Sequence, residues 1–278
     1  MASTFAFVTT ANNERYRAIA ANLILSSRQW GEYKWYLVAD RPLNIGERFI
    51  AMPRDEQAQW NSKSESKYLL KFLSVHRAIE NGDETYVIHV DSDCVFFGPP
   101  PVQRLILQDR QAFAFLEGNM QSPENANRDW FWTGQERIRW LTKMPRRHPD
   151  VFYNLNGGFF GIRRNYLCEF DLHTFRAIAA AVQADLRPAS WRSEEPYLSY
   201  AIHQMNADLD GLLLDRNLDI FLYTGCCPEK PTSFENWGTG KLMPCPKDLG
   251  IVHIFQKHDL LADDGRRKMA SLGKAICP

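Results

Sequence analysis

No stretch of this chain approaches the roughly 20 consecutive apolar residues of a membrane span. The amino terminus enters the strand-like TFAFVTT with no basic region or cleavage site before it. The expectation is a cytoplasmic protein without a transmembrane segment, for which peripheral contact with a membrane stays open. An excess of either charge is also lacking. Lys and Arg total 33, as do Asp and Glu, so no global field draws the protein toward nucleic acid. The six Cys residues are scattered, and the adjacent Cys226 and Cys227 have neither zinc-finger nor redox spacing, which reads as reduced thiols. No Gly-x-Gly-x-x-Gly follows the first apolar run, which argues against a dinucleotide-binding dehydrogenase. Internal repeats and low-complexity tracts are missing as well.

What the 278 residues do contain is apolar material, 45%, enough for one large core. A strand over Phe5–Thr9 precedes a stretch with Tyr16, Ile19, Ala20, Leu23 and Ile24 at the spacing of an amphipathic helix. YKWYLVAD then reads as a second strand ending at Asp40. Tyr68, Leu69, Phe72, Val75 and Ile79 mark one face of a helix that stops at Asn81-Gly82, and TYVIHV follows as another strand. This alternation predicts an α/β fold, a parallel sheet with helices on its faces. Ligands bind such sheets beyond the carboxyl ends of the strands, where Thr9, Thr10, Asp40, Asp91 and Asp93 are expected.

After GPPP the pattern loosens. Residues 119–149 are long and polar, yet hold Trp130, Phe131, Trp132 and Trp140 among Arg128, Lys143, Arg146 and Arg147. They read as an aromatic-packed insertion or as a lid over a substrate. VFYNLNGGFFGIRR reads as a strand interrupted by glycines, which suits a bulge or a close backbone approach. YLCEFDLHTFRAIAAAVQAD and SEEPYLSYAIHQ read as helices, and IVHIF as a short late strand.

The carboxylates of VIHVDSDCVFF carry the chemistry. Asp-x-Asp occurs twice, and the second, Asp208-Leu209-Asp210, reads as a solvated connector. Asp91 and Asp93 differ because one apolar run leads into them and another leaves, and charges placed so must be paired or bind metal. Hard oxygen ligands with one intervening residue suit Mn²⁺ or Mg²⁺ shared with nucleotide phosphates.

With these residues the chain resembles the GT-A glycosyltransferases, in which an Asp-x-Asp after a central strand binds a metal that clamps a nucleotide-sugar diphosphate. FYNLNGGFFGIRR is similar to the strand that lines the sugar pocket of the retaining blood-group-type galactosyl and N-acetylgalactosaminyl transferases. WRSEEPYLSYAI resembles the same family's Trp, acidic pair and Leu opening a helix. IVHIFQKHD is similar to the carboxyl-terminal segment of glycogenin-like transferases, with Gln256 where those have Gly.

The resemblance implies a GT-A (Rossmann-like) mixed, mostly parallel sheet flanked by helices. It implies a single domain over 1–278, with a nucleotide-binding half at 1–115 and an acceptor-binding half at 116–278. It also implies a hexosyltransferase using a nucleotide sugar, by preference a UDP-sugar, and a glycan, lipid-linked or protein acceptor, with retention of anomeric configuration. Asp91, Asp93 and His253 are the implied metal ligands. Thr9, Thr10, Asn13, Arg17 and Lys257 are placed toward the nucleotide. Asn156, Gly157, Gly158 and Trp191 are placed toward the sugar, and Glu195 or its neighbour Glu194 toward the reacting carbon.

Plainer readings stand beside these. His253 suits a core histidine, the Glu194-Glu195 pair a helix amino terminus, and Asn13 a helix cap. VIHVDSDCV also fits the nucleophile loop of haloacid-dehalogenase-like phosphatases, although that loop belongs on a first strand. A non-catalytic sugar-nucleotide or glycan-binding protein on the same fold is the remaining alternative.

Overall fold

The computed structural model describes residues 4–61, 70–96, 98–100, 112–116, 155–164 and the short strands at 213–214, 221–224, 233–236, 241–244 and 251–254. Three parallel strands come first: β1 (Phe5–Ala11), β2 (Trp35–Ala39) and β3 (Arg48–Ala51), with helix α1 (Glu14–Ser27) between β1 and β2. Helices α2 (Arg54–Asn61) and α3 (Leu70–Glu80) lead to β4 (Tyr86–Val90), which returns to pair with β1 on its other side. β5 (Cys94–Phe96) leaves the sheet, and β6 (Ala112–Leu116) and β7 (Leu155–Arg163) extend it antiparallel. With β8 (Leu213–Leu214), the order is β3-β2-β1-β4-β7-β6-β8. The fold is therefore the expected α/β mixed, mostly parallel sheet.

Two small sheets complete the described chain. β9 (Phe221–Thr224), β12 (Ile251–Ile254) and β5 form one, and β10 (Ser233–Asn236) with β11 (Lys241–Pro244) forms the other. The late strand anticipated at IVHIF is thus present. Among the described residues, no helix is long and apolar enough to cross a membrane.

The core explains the first helix and the placing of β5. Ile19, Ala20, Leu23 and Ile24 of α1 are buried, and Asn13 caps the helix by accepting from the Tyr16 N–H at 3.0 Å. Phe7, Tyr33, Trp35 and Phe96 pack largely edge to face, with Phe7 and Phe96 centroids 5.4 Å apart. Polar groups then pin β5 to α1. Phe96 N–H donates to Ser26 Oγ at 3.0 Å, and Trp30 Nε1–H donates to the Phe96 carbonyl at 3.3 Å. The strand that follows the carboxylates is thereby fixed at both its backbone groups.

Three details differ from expectation. β1 runs to Ala11, so Thr9 and Thr10 lie inside the strand, buried, and not beyond its end. β3 and α2 were not anticipated. β3 is a four-residue, largely exposed edge strand, and α2, RDEQAQWN, is mostly polar, so neither has the apolar periodicity that marks buried elements.

Candidate functional site

Chain order reverses between β1 and β4: from β1 the chain moves out to β2 and β3, then returns to β4 on the opposite side. A crevice opens at the carboxyl ends of strands at such a switch point. Asp91 follows β4 directly. Its carbonyl accepts from the Cys94 N–H at 3.0 Å, closing a turn that holds Ser92 and Asp93 before β5 begins. Asp93 is 1% exposed, whereas the Asp91 side chain keeps 14%.

The glycine-rich segment meets this turn. β4 and β7 pair through Val90 and Phe159, and Asp91 N–H donates to the Gly158 carbonyl at 2.8 Å. On its other side β7 slips register against β6. Ala114 pairs with Phe160 but Phe115 with Asn156, so residues 157–159 bulge out of that ladder. The bulge expected from the glycines is where the carboxylate turn docks. Two sequence motifs 64 residues apart, counting from Cys94 to Gly158, are thus backbone neighbours.

Two residues that the sequence reading passed over lie against Asp91. Lys71 of α3 places Nζ 2.8 Å from Asp91 Oδ2, with its own side chain 8% exposed. His89 of β4 is fully buried and sets Nε2 3.0 Å from Asp91 Oδ1. Its ring stacks on Phe160 at 4.9 Å, and Phe160 packs on Phe72, the neighbour of Lys71. A lysine between apolar residues in LLKF and a histidine inside YVIHV were the available signals, since a buried charge or imidazole needs a partner.

Elsewhere along the edge, Asp40 accepts from Arg17 Nη1 through both oxygens at 2.5 Å, so this carboxylate is matched by α1. Thr9 Oγ1 is buried with no hydrogen-bond partner among the described residues. Asn13 serves as the α1 cap, the plainer of its two readings, and its Nδ2 also donates to Asn12 Oδ1 at 3.4 Å.

β12 lies antiparallel to β5 with His253 opposite Cys94, which puts residue 253 beside the end of the Asp91–Asp93 turn. Among the described residues no group of three or more His, Cys, Asp or Glu side chains gathers to hold an ion. The described donor set is the two carboxylates, hard oxygen ligands of the kind that suit Mn²⁺ or Mg²⁺. Asn156 and Gly157 lie in β7. Glu194, Glu195, Trp191 and Lys257 lie outside the described residues, as do 119–149, the two helices expected after Arg164, and the Asp208–Asp210 pair.

No protein-family model matches the chain, and no curated protein matches its sequence. Solved structures do resemble it. A galactosyltransferase, LgtC, in complex with donor and acceptor sugar analogs superposes with a TM-score of 0.55 at 11% identity, over 98% of this chain and 96% of that one. An active-site mutant of LgtC gives 0.53 at 12% identity over the same shares. The apo bifunctional glycosyltransferase WbbM gives 0.56 at 12% identity, and there this chain is matched over 99% of its length but spans about half, 51%, of the larger protein. The likeness identifies the fold as one that glycosyltransferases use.

Proposed function

We propose that the chain is a metal-dependent glycosyltransferase that moves a hexose from a nucleoside-diphosphate sugar, with UDP as nucleotide, to a hydroxyl acceptor with retention of anomeric configuration. The observation that carries this reading is the 2.8 Å hydrogen bond from Asp91 N–H to the Gly158 carbonyl. It joins, at the switch point of the sheet, a carboxylate pair suited to a diphosphate-bound cation and a bulged glycine segment suited to a sugar. The glycosyltransferase fold supports the same reading, and the LgtC complex holds both a donor and an acceptor sugar analog.

In this proposal Asp91 and Asp93 hold Mn²⁺ or Mg²⁺, with His253 as the third ligand. When bound, the ion supplies Lewis-acid stabilisation of charge on the leaving diphosphate. The chain's own groups do the rest. Gly157 and Gly158, lacking side chains, let the hexose lie against the backbone, with Asn156 and Trp191 bounding it. Lys257 adds a charge-assisted contact to the diphosphate. Thr9, Thr10 and Asn13 belong to the wall under the nucleotide. Glu195, with Glu194 beside it, is assigned to the face below the anomeric carbon as nucleophile or as stabiliser of an oxocarbenium-like centre. The half at 116–278 meets the acceptor, a glycan, a lipid-linked glycan or a protein.

Thermal unfolding with a panel of nucleotide sugars tests the proposal, because a ligand at 100 times its Kd adds about 2.7 kcal/mol to stability. A UDP-sugar should raise the Tm only when Mn²⁺ is present. No shift with any nucleotide sugar, together with hydrolysis of simple phosphate esters lost in Asp91→Asn, would transfer the pair to dehalogenase-like phosphatase chemistry. NMR of the first-formed product decides the stereochemistry: an α-donor giving a β-product overturns retention.

A further inference from the structure

We infer that His89 is a positioning residue: its ring fixes the direction in which Asp91 offers its oxygens, and so makes the site prefer a small octahedral ion over Ca²⁺. The inference rests on the metal reading above. His89 lies inside YVIHV, where an imidazole in place of an aliphatic side chain must be matched by a polar partner. It is fully buried, and its Nε2 stands 3.0 Å from Asp91 Oδ1. An ionised carboxylate only accepts, so Nε2 carries the hydrogen and donates it. The ring is held in turn. Phe160, its cross-strand partner on β7, stacks on it with centroids 4.9 Å apart, and Phe72 of α3 backs Phe160 at 5.0 Å.

Asp91 is held at each of its polar groups. Its N–H donates to the Gly158 carbonyl at 2.8 Å, its carbonyl accepts from Cys94 N–H at 3.0 Å, and its two carboxylate oxygens meet His89 and Lys71. With a partner on either oxygen, the carboxylate cannot rotate without breaking a bond. A carboxylate offers about four lone-pair sites, so bonds of this kind are compatible with an ion. His89 sets the angle more strictly than Lys71 does. It sits two residues before Asp91, at a spacing that β4 itself fixes, whereas the ammonium arrives from α3 on a flexible four-carbon stem. A fixed ligand discriminates. Mg²⁺ demands near-ideal octahedral geometry at about 2.0–2.1 Å, whereas Ca²⁺ takes about six to eight oxygens in pliable geometry and accepts both oxygens of one carboxylate.

The test displaces Mn²⁺ from the full chain at fixed UDP, with Mg²⁺ and Ca²⁺ as competitors, read by electron paramagnetic resonance of the free ion against a protein-free UDP control. Wild type should favour Mg²⁺ over Ca²⁺ by about tenfold or more. His89→Phe keeps a ring against Phe160 and removes the donor. Its Mg²⁺ affinity should fall about tenfold while its Ca²⁺ affinity hardly changes, so the preference shrinks toward parity. His89→Gln, whose amide nitrogen reaches about as far from Cβ as Nε2, should keep the wild-type preference, a rescue that a packing role alone would not produce. A folded His89→Phe with the wild-type Mg²⁺-to-Ca²⁺ ratio overturns the inference, as does a His89→Gln that behaves like His89→Phe, or a wild type without preference. Should His89→Phe fail to fold, His89→Asn, too short to reach Oδ1, takes its place with the same expected loss and the same overturning result. Mn²⁺ left unbound by wild type even with UDP overturns the metal reading along with the inference. Mn²⁺ that wild type binds and Asp93→Asn loses, with a ratio that His89→Phe leaves unchanged, overturns the inference alone.

Discussion

Glu84 and Asp93 are both nearly inaccessible carboxylates, 3% and 1% exposed, but they sit at opposite ends of β4. At the amino-terminal end, Glu84 is an ion-pair partner of Lys34 and accepts from Tyr36 Oη–H at 3.1 Å. Arg164 Nε–H donates to the Glu84 carbonyl at 2.9 Å and Nη1–H to that of Ile79 at 2.6 Å. The Lys34 ammonium also lies 3.2 Å from Asp83, whose carboxyl is held below the usual range by that hydrogen bond and the lysine's charge. Two carboxylates, Asp83 and Glu84, thus share the ammonium of Lys34, while the Arg164 guanidinium ties together the backbone carbonyls of Glu84 and Ile79. At the carboxyl-terminal end Asp91 pairs with the ammonium of Lys71 and the His89 ring, and Asp93 lies buried in the turn that follows. The first end is a clamp across the sheet, away from the switch point; the second lies at the switch point, where the proposed function seats the ion. Substitutions at the first should cost stability and spare ligand binding, and those at the second should do the reverse.

The largest effect belongs to the clamp. Glu84→Ala takes the buried partner from Lys34, which keeps the exposed Asp83, and leaves Tyr36 without its acceptor, at about 3 kcal/mol, the lower end for breaking a buried pair from one side. Urea unfolding should show this loss, with UDP binding unchanged at a temperature where the variant stays folded. Gly82→Ala comes next. Its Cβ would lie 2.2 Å from both Glu84 Oε2 and Tyr36 Oη, so the hydrogen bond between them must open at about 1–3 kcal/mol, again read by urea unfolding. A smaller change is expected across the sheet: His253→Ala should weaken Mn²⁺ affinity roughly tenfold with UDP present and leave the Tm close to wild type. A fall in Tm with Mn²⁺ affinity intact would make His253 a core residue and move it to the clamp's side of the comparison.

The smallest effect tests charge away from both ends. Burial of Glu47 works to raise its carboxyl, but the backbone N–H groups of Leu43, Asn44 and Ile45, at 2.6, 3.0 and 2.9 Å from its oxygens, hold it below the ordinary value. A folded pKa below the unfolded one gives stability that is present above the unfolded pKa and is lost as pH falls through the folded one. The Tm gap between wild type and Glu47→Gln should therefore be widest near neutral pH and shrink as acid protonates Glu47. A gap independent of pH would remove the charged carboxylate as its source.

How much of this was legible in the sequence follows the same division. β1, α1, β2, α3 and β4 announced themselves because their apolar residues repeat at the period of the element they form. Thr9 and Thr10 misled because polarity suggests a strand's end, whereas here both are buried within β1. The Asp-x-Asp and Gly-Gly motifs were each visible, but not that a bulge in β7 aims the Gly158 carbonyl at Asp91, because strand pairing is non-local. Lys71 and Asp91 are 20 residues apart and meet only through α3 packing beside β4, and no local pattern records that. Gly82 was read as a helix stop. Its further role is the want of a Cβ beside Tyr36 and Glu84, a contact set by a strand far off in sequence.

The account stands most directly on calorimetry of UDP binding to the wild-type chain with Mn²⁺, with EDTA, and to Asp93→Asn. It predicts binding that is clear with Mn²⁺, collapses when EDTA is added and stays absent in Asp93→Asn, although that variant unfolds as cooperatively as wild type. Tight UDP binding that ignores both EDTA and Asp93→Asn would contradict it.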